Sequence, residues 1–140
     1  MKKTGRISKD EYYLNLAREL TTRSTCLRRH YGCVIVKDDR VVATGYNGSP
    51  RGEVNCCDRG TCKRKDEERY AGYDQCDSVH AEQNAIISAS CADMMGAIVY
   101  VACVDAATGE EDANPVPCPI CSRMLRNARV NRIMNRSGEW

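Results

Sequence analysis

Three ligand-type residues constrain this chain more than any other feature. They are His80, heading the run His80-Ala81-Glu82, and the pair Cys118 and Cys121, carried 38 residues after His80 by Pro117-Cys118-Pro119-Ile120-Cys121. One imidazole and two thiolates form a zinc donor set, and three protein ligands leave the fourth tetrahedral position open, which separates a catalytic site from a closed structural one. Cys118 and Cys121 are three apart at a helix start, so both sulfurs fall on one face, where the helix N-terminus favours the thiolate form. Positions i and i+2 of a regular helix point apart, so His80 must precede the first full turn of its helix. Glu82 is then free to face the open position rather than ligate. A carboxylate in that place moves protons between water and a substrate nitrogen, a role typically contributing about 10²- to 10⁴-fold in rate. A Cys-x-x-Cys standing alone reads equally as a structural zinc knuckle or a redox pair, but a purely structural site has no reason to place Glu82 beside a ligand.

Composition narrows the setting. The chain has 140 residues, the size of one domain spanning 1–140, and ten cysteines. No positively charged segment leads into an apolar run, and no window reaches membrane-spanning length. The expected location is therefore cytoplasmic, where thiols serve as metal ligands more often than as disulfides. The 21 basic and 19 acidic residues give a formal charge of +2, far from the basic excess of a general nucleic-acid binder. Phe is absent, and Trp140 is the single Trp beside seven Tyr, which argues against stacking on single strands. Neither a membrane nor nucleic acid is expected as a partner. Arginine outnumbers lysine 15 to 6, and arginine suits bidentate grip on phosphate or carboxylate.

Periodicity predicts a helix over 9–21, capped by Ser8 with Glu11 three places on, whose stripe is Tyr13, Leu16, Ala17 and Leu20. Gly32–Val36 and Val41–Tyr46 read as strands joined by the polar turn Lys37-Asp38-Asp39-Arg40. Residues 47–78 hold four cysteines and no sustained period, a Cys-rich loop region that needs something to order it. A helix over 81–92, a strand over 97–104, an acidic Gly-bearing loop to Pro115, a short helix opened by Pro117 and a strand over 130–134 follow. Helices alternating with strands make a layered α/β domain around one mixed sheet. Arg123, Arg126, Arg129, Arg132 and Arg136 read as a solvated or subunit-facing surface.

His-x-Glu with Pro-Cys-x-x-Cys is the signature of zinc nucleobase deaminases. Ser24-Thr25-Cys26-Leu27-Arg28-Arg29, the strand Gly32-Cys33-Val34-Ile35-Val36, Gly45-Tyr46-Asn47-Gly48-Ser49-Pro50-Arg51-Gly52 and Val79-His80-Ala81-Glu82-Gln83-Asn84-Ala85 together resemble the deoxycytidylate (dCMP) deaminase family. The resemblance covers nearly the whole chain. It implies a three-layer α/β/α cytidine deaminase-like fold with a central mixed sheet of about five strands. It implies zinc held by His80, Cys118 and Cys121, Glu82 as the proton shuttle, and a substrate site including Asn47 on the deoxyribose, Ala81, and Arg28 on the phosphate. It also implies a second, structural zinc on Cys26, Cys56, Cys62 and Cys76, with Cys57 an alternative to Cys56, while Cys33, Cys91 and Cys103 read as ordinary buried thiols. The implied reaction is zinc-dependent hydrolysis of dCMP to dUMP and ammonia, by a homo-oligomer, commonly a hexamer, activated by dCTP and inhibited by dTTP. Alternatives are another cytosine nucleotide, a nucleic-acid base, or a non-catalytic two-zinc interaction module. Read from the residues alone, Asn47 is also a turn residue tolerant of positive φ, and Arg28 a solvated or interface arginine.

Two departures from the family stand out. The acidic 104–116 stretch is longer than the usual link and reads as a lid or a subunit contact. The chain ends soon after the 130–134 strand, which leaves the fifth strand short or missing. Arg129 also stands where relatives more often have Gly.

Overall fold

The computed structural model describes residues 5–140. Its starting unit is the hairpin of β1 (Arg29–Lys37) and β2 (Arg40–Tyr46). Asp38 and Asp39 both take left-handed backbone, at φ 50° and 61°, the type I′ turn whose twist matches a hairpin. β3 (Ile98–Asp105) pairs antiparallel with β1 from Arg29↔Asp105 to Val36↔Ile98, and β5 (Arg132–Asn135) runs parallel to β3. The order is β2-β1-β3-β5-β6, where β6 is Gly138–Glu139, and the two-residue β4 (Glu111–Asp112) pairs with β3 off this path. One parallel pair among antiparallel ones makes the sheet mixed, as expected.

Side-chain alternation then sorts the strands into two buried faces. Val34 and Val36 of β1, Tyr100 and Ala102 of β3 and Met134 of β5 pack with Tyr13, Leu14 and Ala17 of α1 (Lys9–Thr21). The neighbouring residues Cys33, Ile35, Val99, Val101 and Ile133 face the other way, against Ala81 and Ala85 of α3 (Ala81–Ser88) and Leu125 of α5 (Pro119–Asn127). The result is helix, sheet, helix: three layers, with the four-residue α2 (Cys56–Arg59) in the Cys-rich loop. Two glycines permit the close spacing. A Cβ on Gly32 would stand 1.9 Å from the Ala17 carbonyl oxygen, and one on Gly45 would stand 2.2 Å from that of Ala81. Gly45 thus lets the start of α3 settle onto β2. Ser8 caps α1 as predicted, its hydroxyl accepting from the Glu11 N–H at 3.1 Å. The buried stripe runs through Leu14, while Leu16 and Leu20 are only half-buried.

Three expectations change, and the 104–116 stretch takes a definite shape. The 81–92 helix breaks at Ala89, which is extended, because Ser90 caps a separate helix α4 (Cys91–Met94) by accepting from the Asp93 N–H. Cys91, at that new start, is exposed rather than buried, whereas Cys33 and Cys103 are buried. The last strand is four residues, starts at Arg132, and is followed by β6, so the sheet has six strands. The 104–116 stretch folds back as the β3–β4 hairpin and is pinned to the body. Asp112 pairs with Arg29 at 2.8 Å, and Glu111 meets Arg136 at 2.8 Å and Arg18 at 3.1 Å. No helix among the described residues is long and apolar enough to cross a membrane.

Candidate active site

Two helix starts converge on one point. His80 is the N-cap of α3, extended at φ −72° and ψ 156°, and its N–H donates to the Gln83 side chain at 2.9 Å. A two-bond bridge between Gly48 and Val79, at 3.1 and 2.7 Å, fixes the strand that delivers it. His80 therefore does precede the first turn, and its ring stands clear of the helix. Cys118 is the N-cap of α5, with Pro119 in the first turn, and its sulfur accepts from the Cys121 N–H at 3.4 Å. His80 Nδ1 lies 3.2 Å from Cys121 Sγ and 3.5 Å from Cys118 Sγ. Among the described residues this is the one trio of His, Cys or carboxylate donors whose ligand atoms all lie within 4.8 Å of one another.

The electrostatics suit a cation. The Cys118 thiol is lowered to about 4, chiefly by a hydrogen bond from the Cys121 thiol and also by His80. Cys121 is pushed well up by that shared proton and by burial, with Glu82 beside it. Glu82, 4% exposed, is raised from the ordinary carboxylate value by burial, against the pull of hydrogen bonds from Cys121 and its own backbone. A dication among these groups would displace the shared proton and hold both sulfurs as thiolates. The imidazole and two thiolates are a zinc donor set, and the buried Glu82 stands beside them without being needed as a ligand.

The site opens into a cavity of about 410 Å³, within the range of small-molecule sites. Its lining brings together the sequence-predicted Arg28, Asn47, His80, Ala81, Glu82 and Cys118. Asn47 is buried and does not have positive φ, so it is no ordinary turn residue. Its carboxamide oxygen accepts from Ser24 Oγ at 2.6 Å and the Tyr31 N–H at 2.8 Å, and its Nδ2 donates to the Arg29 carbonyl at 2.9 Å. One amide hydrogen is left over. Ala81 is the first residue of α3, where the backbone N–H has no intrahelical partner. Arg28 is exposed at the rim, and its Nη1 donates to the Arg64 carbonyl at 2.9 Å.

Cys26, Cys56, Cys62 and Cys76 all reach the same cavity wall, while Cys57 is exposed. Burial raises the Cys56 thiol, Arg59 lowers it, and the other three thiols raise it further. The donor chemistry fits a closed thiolate site, but no three of these sulfurs lie as close together as the His80 trio. Sequence reasoning missed Tyr31, Arg64, Arg69, Tyr70, Tyr73 and Ser78, which also line the cavity. Tyr73 packs edge-on to the His80 ring with centroids 5.0 Å apart. Burial first, and Cys118 next, push its phenol up to about 12. Tyr31 enters from β1, and no local pattern in 47–78 marks the other five, since loop tracing alone brings them to the site.

Known proteins place this geometry in a family. The sequence profile of the cytidine and deoxycytidylate deaminase zinc-binding region matches residues 7–136. The deoxycytidylate deaminase of Mycobacterium phage D29 is 36% identical over 132 residues, covering 89% of this chain and 91% of the phage protein. That of Schizosaccharomyces pombe is 35% identical over 133 residues, 92% of this chain but 37% of the yeast protein. The crystal structure of dCMP deaminase from the cyanophage S-TIM5 in complex with dCMP and dUMP superposes with a TM-score of 0.61 at 26% identity, covering 96% of this chain and 82% of that one. With a profile spanning 7–136 and the donor trio assembled at two helix starts, the chain belongs to the cytidine and deoxycytidylate deaminase zinc-binding family.

Proposed function

We propose that this chain hydrolyses the 4-amino group of dCMP, giving dUMP and ammonia. The observation that carries the reading is the buried Glu82 carboxylate beside the His80, Cys118 and Cys121 donors, on the floor of a cavity walled by arginines. His80, Cys118 and Cys121 would hold a zinc ion, which when bound would lower the pKa of a water so that it can attack C4. Glu82 accepts the proton the water sheds and delivers it to ring nitrogen N3. The same carboxylate then passes the second water proton to the 4-amino group, which leaves as ammonia, so atoms and charge balance. Ala81 offers its unpaired N–H to the pyrimidine carbonyl, Asn47 its remaining amide hydrogen to the deoxyribose, and Arg28 its guanidinium to the phosphate. The names of the phage and yeast relatives, and the dCMP and dUMP bound to the S-TIM5 enzyme, support this substrate.

The reading extends to a second zinc on Cys26, Cys56, Cys62 and Cys76. It is supported by four thiols on one wall and by the backbone N–H donors of Arg28 and Arg64 on Cys26 and Cys62, each 3.4 Å from sulfur. It extends also to a cytoplasmic setting that keeps ten thiols reduced, and to a homo-oligomer, hexameric as the resemblance implies, with dCTP and dTTP as its effectors. Exposed Ile87, Val54 and Trp140 are the kind of surface an assembly covers. The test is ammonia release from zinc-loaded protein offered dCMP, deoxycytidine, CMP and dCTP separately. Turnover chiefly of dCMP is expected, and Glu82→Gln should lose about 10²- to 10⁴-fold while keeping its zinc. Near-native turnover by that variant, or silence on all four substrates, would overturn the reading.

A further inference from the structure

The cavity wall built by the Cys-rich loop carries more positive charge than its carboxylates balance. Arg29 is paired with Asp112 at 2.8 Å. Arg28, Arg64 and Arg69 line the same cavity, and none forms an ion pair among the described residues. Glu82 and Asp105 are the carboxylates on the same lining, and guanidinium groups in excess of the carboxylates around them hold a place for an anion.

Of the three, Arg64 is the most firmly aimed. Its Nε donates to the Ala71 carbonyl at 2.6 Å and its Nη2 to that of Glu68 at 3.2 Å. Its guanidinium carbon sits 4.5 Å from the centre of the Tyr73 ring, and Tyr73 in turn packs edge-on to the His80 ring at 5.0 Å. Two ring contacts thus link this cation through Tyr73 to the metal ligand His80. Nη1 carries no hydrogen bond to protein among the described residues, so the fork keeps donors for a ligand.

Arg64 is placed by the same local device as Arg28. Each follows a cysteine by two residues, Cys26-Leu27-Arg28 and Cys62-Lys63-Arg64. Each donates its backbone N–H to that cysteine's sulfur at 3.4 Å. The Arg28 Nη1 bond to the Arg64 carbonyl at 2.9 Å ties the two turns together. The sulfur cluster therefore holds two arginines at the cavity mouth as well as ordering a loop.

We propose that Arg64 is a second phosphate-binding residue, which reads the 5′-monophosphate of a pyrimidine nucleotide, and that Cys62 is its positioning residue. This rests on the deaminase reading above. The experiment measures kcat/KM for dCMP and for deoxycytidine with wild type, Arg64→Ala, Arg64→Lys, Cys62→Ser and Arg69→Ala. It also measures calorimetric binding of dUMP and deoxyuridine to the same zinc-loaded proteins. Arg64→Ala should lose about 10- to 100-fold on dCMP, mainly in KM, and less than about threefold on deoxycytidine. dUMP binding should weaken by the same factor as dCMP turnover, and deoxyuridine binding should hold. Arg64→Lys recovers part of the loss, since a point charge replaces the fork. Cys62→Ser keeps the arginine but removes its anchor together with a ligand of the proposed second zinc, so both substrates lose turnover and the loss on dCMP is the larger.

Equal losses on nucleotide and nucleoside, or a selective loss in Arg69→Ala in place of Arg64→Ala, would overturn the Arg64 assignment. A Cys62→Ser loss equal on both would overturn the positioning role. Should wild type turn over neither substrate, the deaminase reading fails, and the comparison of dUMP with deoxyuridine binding still decides the phosphate site.

Discussion

The Asn47 carboxamide makes three hydrogen bonds to the protein before any ligand arrives, to Ser24, Tyr31 and Arg29. Two of those partners are backbone groups of the segment that carries Arg28 into β1. The side chain is therefore a strut between the Gly-Tyr-Asn-Gly motif and the start of the central strand, as well as a candidate sugar contact. The two roles separate by measurement. Asn47→Ala leaves the partly buried Arg29 carbonyl and Tyr31 N–H without partners, so it should destabilise the fold by about 2–4 kcal/mol as well as raise KM for dCMP. The check is urea unfolding of zinc-loaded protein beside steady-state kinetics. A variant of native stability and raised KM would reduce Asn47 to a ligand contact alone. His80, Cys118 and Cys121 were readable from spacing because metal chemistry dictates which atoms must meet. The partners of Asn47 were not, because they depend on how β1 and β2 lie together in three dimensions.

Helix ends decide where chemistry sits in this fold, since His80 and Cys118 are N-caps. The far end of α5 is under a different demand. After the C-cap Ala128, the Arg129 N–H donates to the Arg126 carbonyl at 3.1 Å and the Val130 N–H to that of Leu125 at 3.3 Å. These are the two bonds of a Schellman ending, and Leu125 and Val130 pack in the same core cluster, as that motif requires. Arg129 holds the left-handed position at φ 63°, where glycine is favoured and other residues are strained by roughly 1–2 kcal/mol. Its neighbours made the position visible in the sequence as an Arg where relatives more often have Gly, and the backbone gives the reason. Arg129→Gly should therefore stabilise the protein by about 1 kcal/mol, read as a rise in the urea midpoint at unchanged slope. A fall in the midpoint would mean that the arginine side chain contributes more than the strain costs. Elements with a strong period, α1 and the β1–β2 hairpin, were legible because burial on one face imposes that period. The break at Ala89 was not, because apolar spacing continues across it and only the Ser90 cap interrupts it.

Two cores hold the molecule, one on each face of the sheet, and neither includes the Cys-rich loop. From residue 51 to 79 the only buried residue is Cys56. Arg59 and Lys63 meeting Asp77, at 3.1 and 3.0 Å, are the ion pairs that cross it, and partly exposed pairs of this kind are worth little. A segment with no apolar core offsets little of the entropy of its own ordering, and the proposed second zinc would supply the difference, which the cysteine spacing foreshadowed without showing the cavity wall the loop would form. Removing metal should then divide the molecule. With a strong chelator under reducing conditions, residues 47–78 should become the first site of limited proteolysis while the sheet and its two helical layers remain protected. The thermal midpoint should fall, and readdition of zinc should restore both, since a ligand that binds only the folded state stabilises it by mass action. Metal analysis of the dialysed native protein should give two zinc ions per chain, and one in Cys62→Ser. One zinc in the native protein, together with a loop that stays protected after chelation, would show that the four thiols order the segment without metal. The loop would then owe its shape to the hydrogen bonds of Arg28, Arg59 and Arg64 to sulfur and carbonyl.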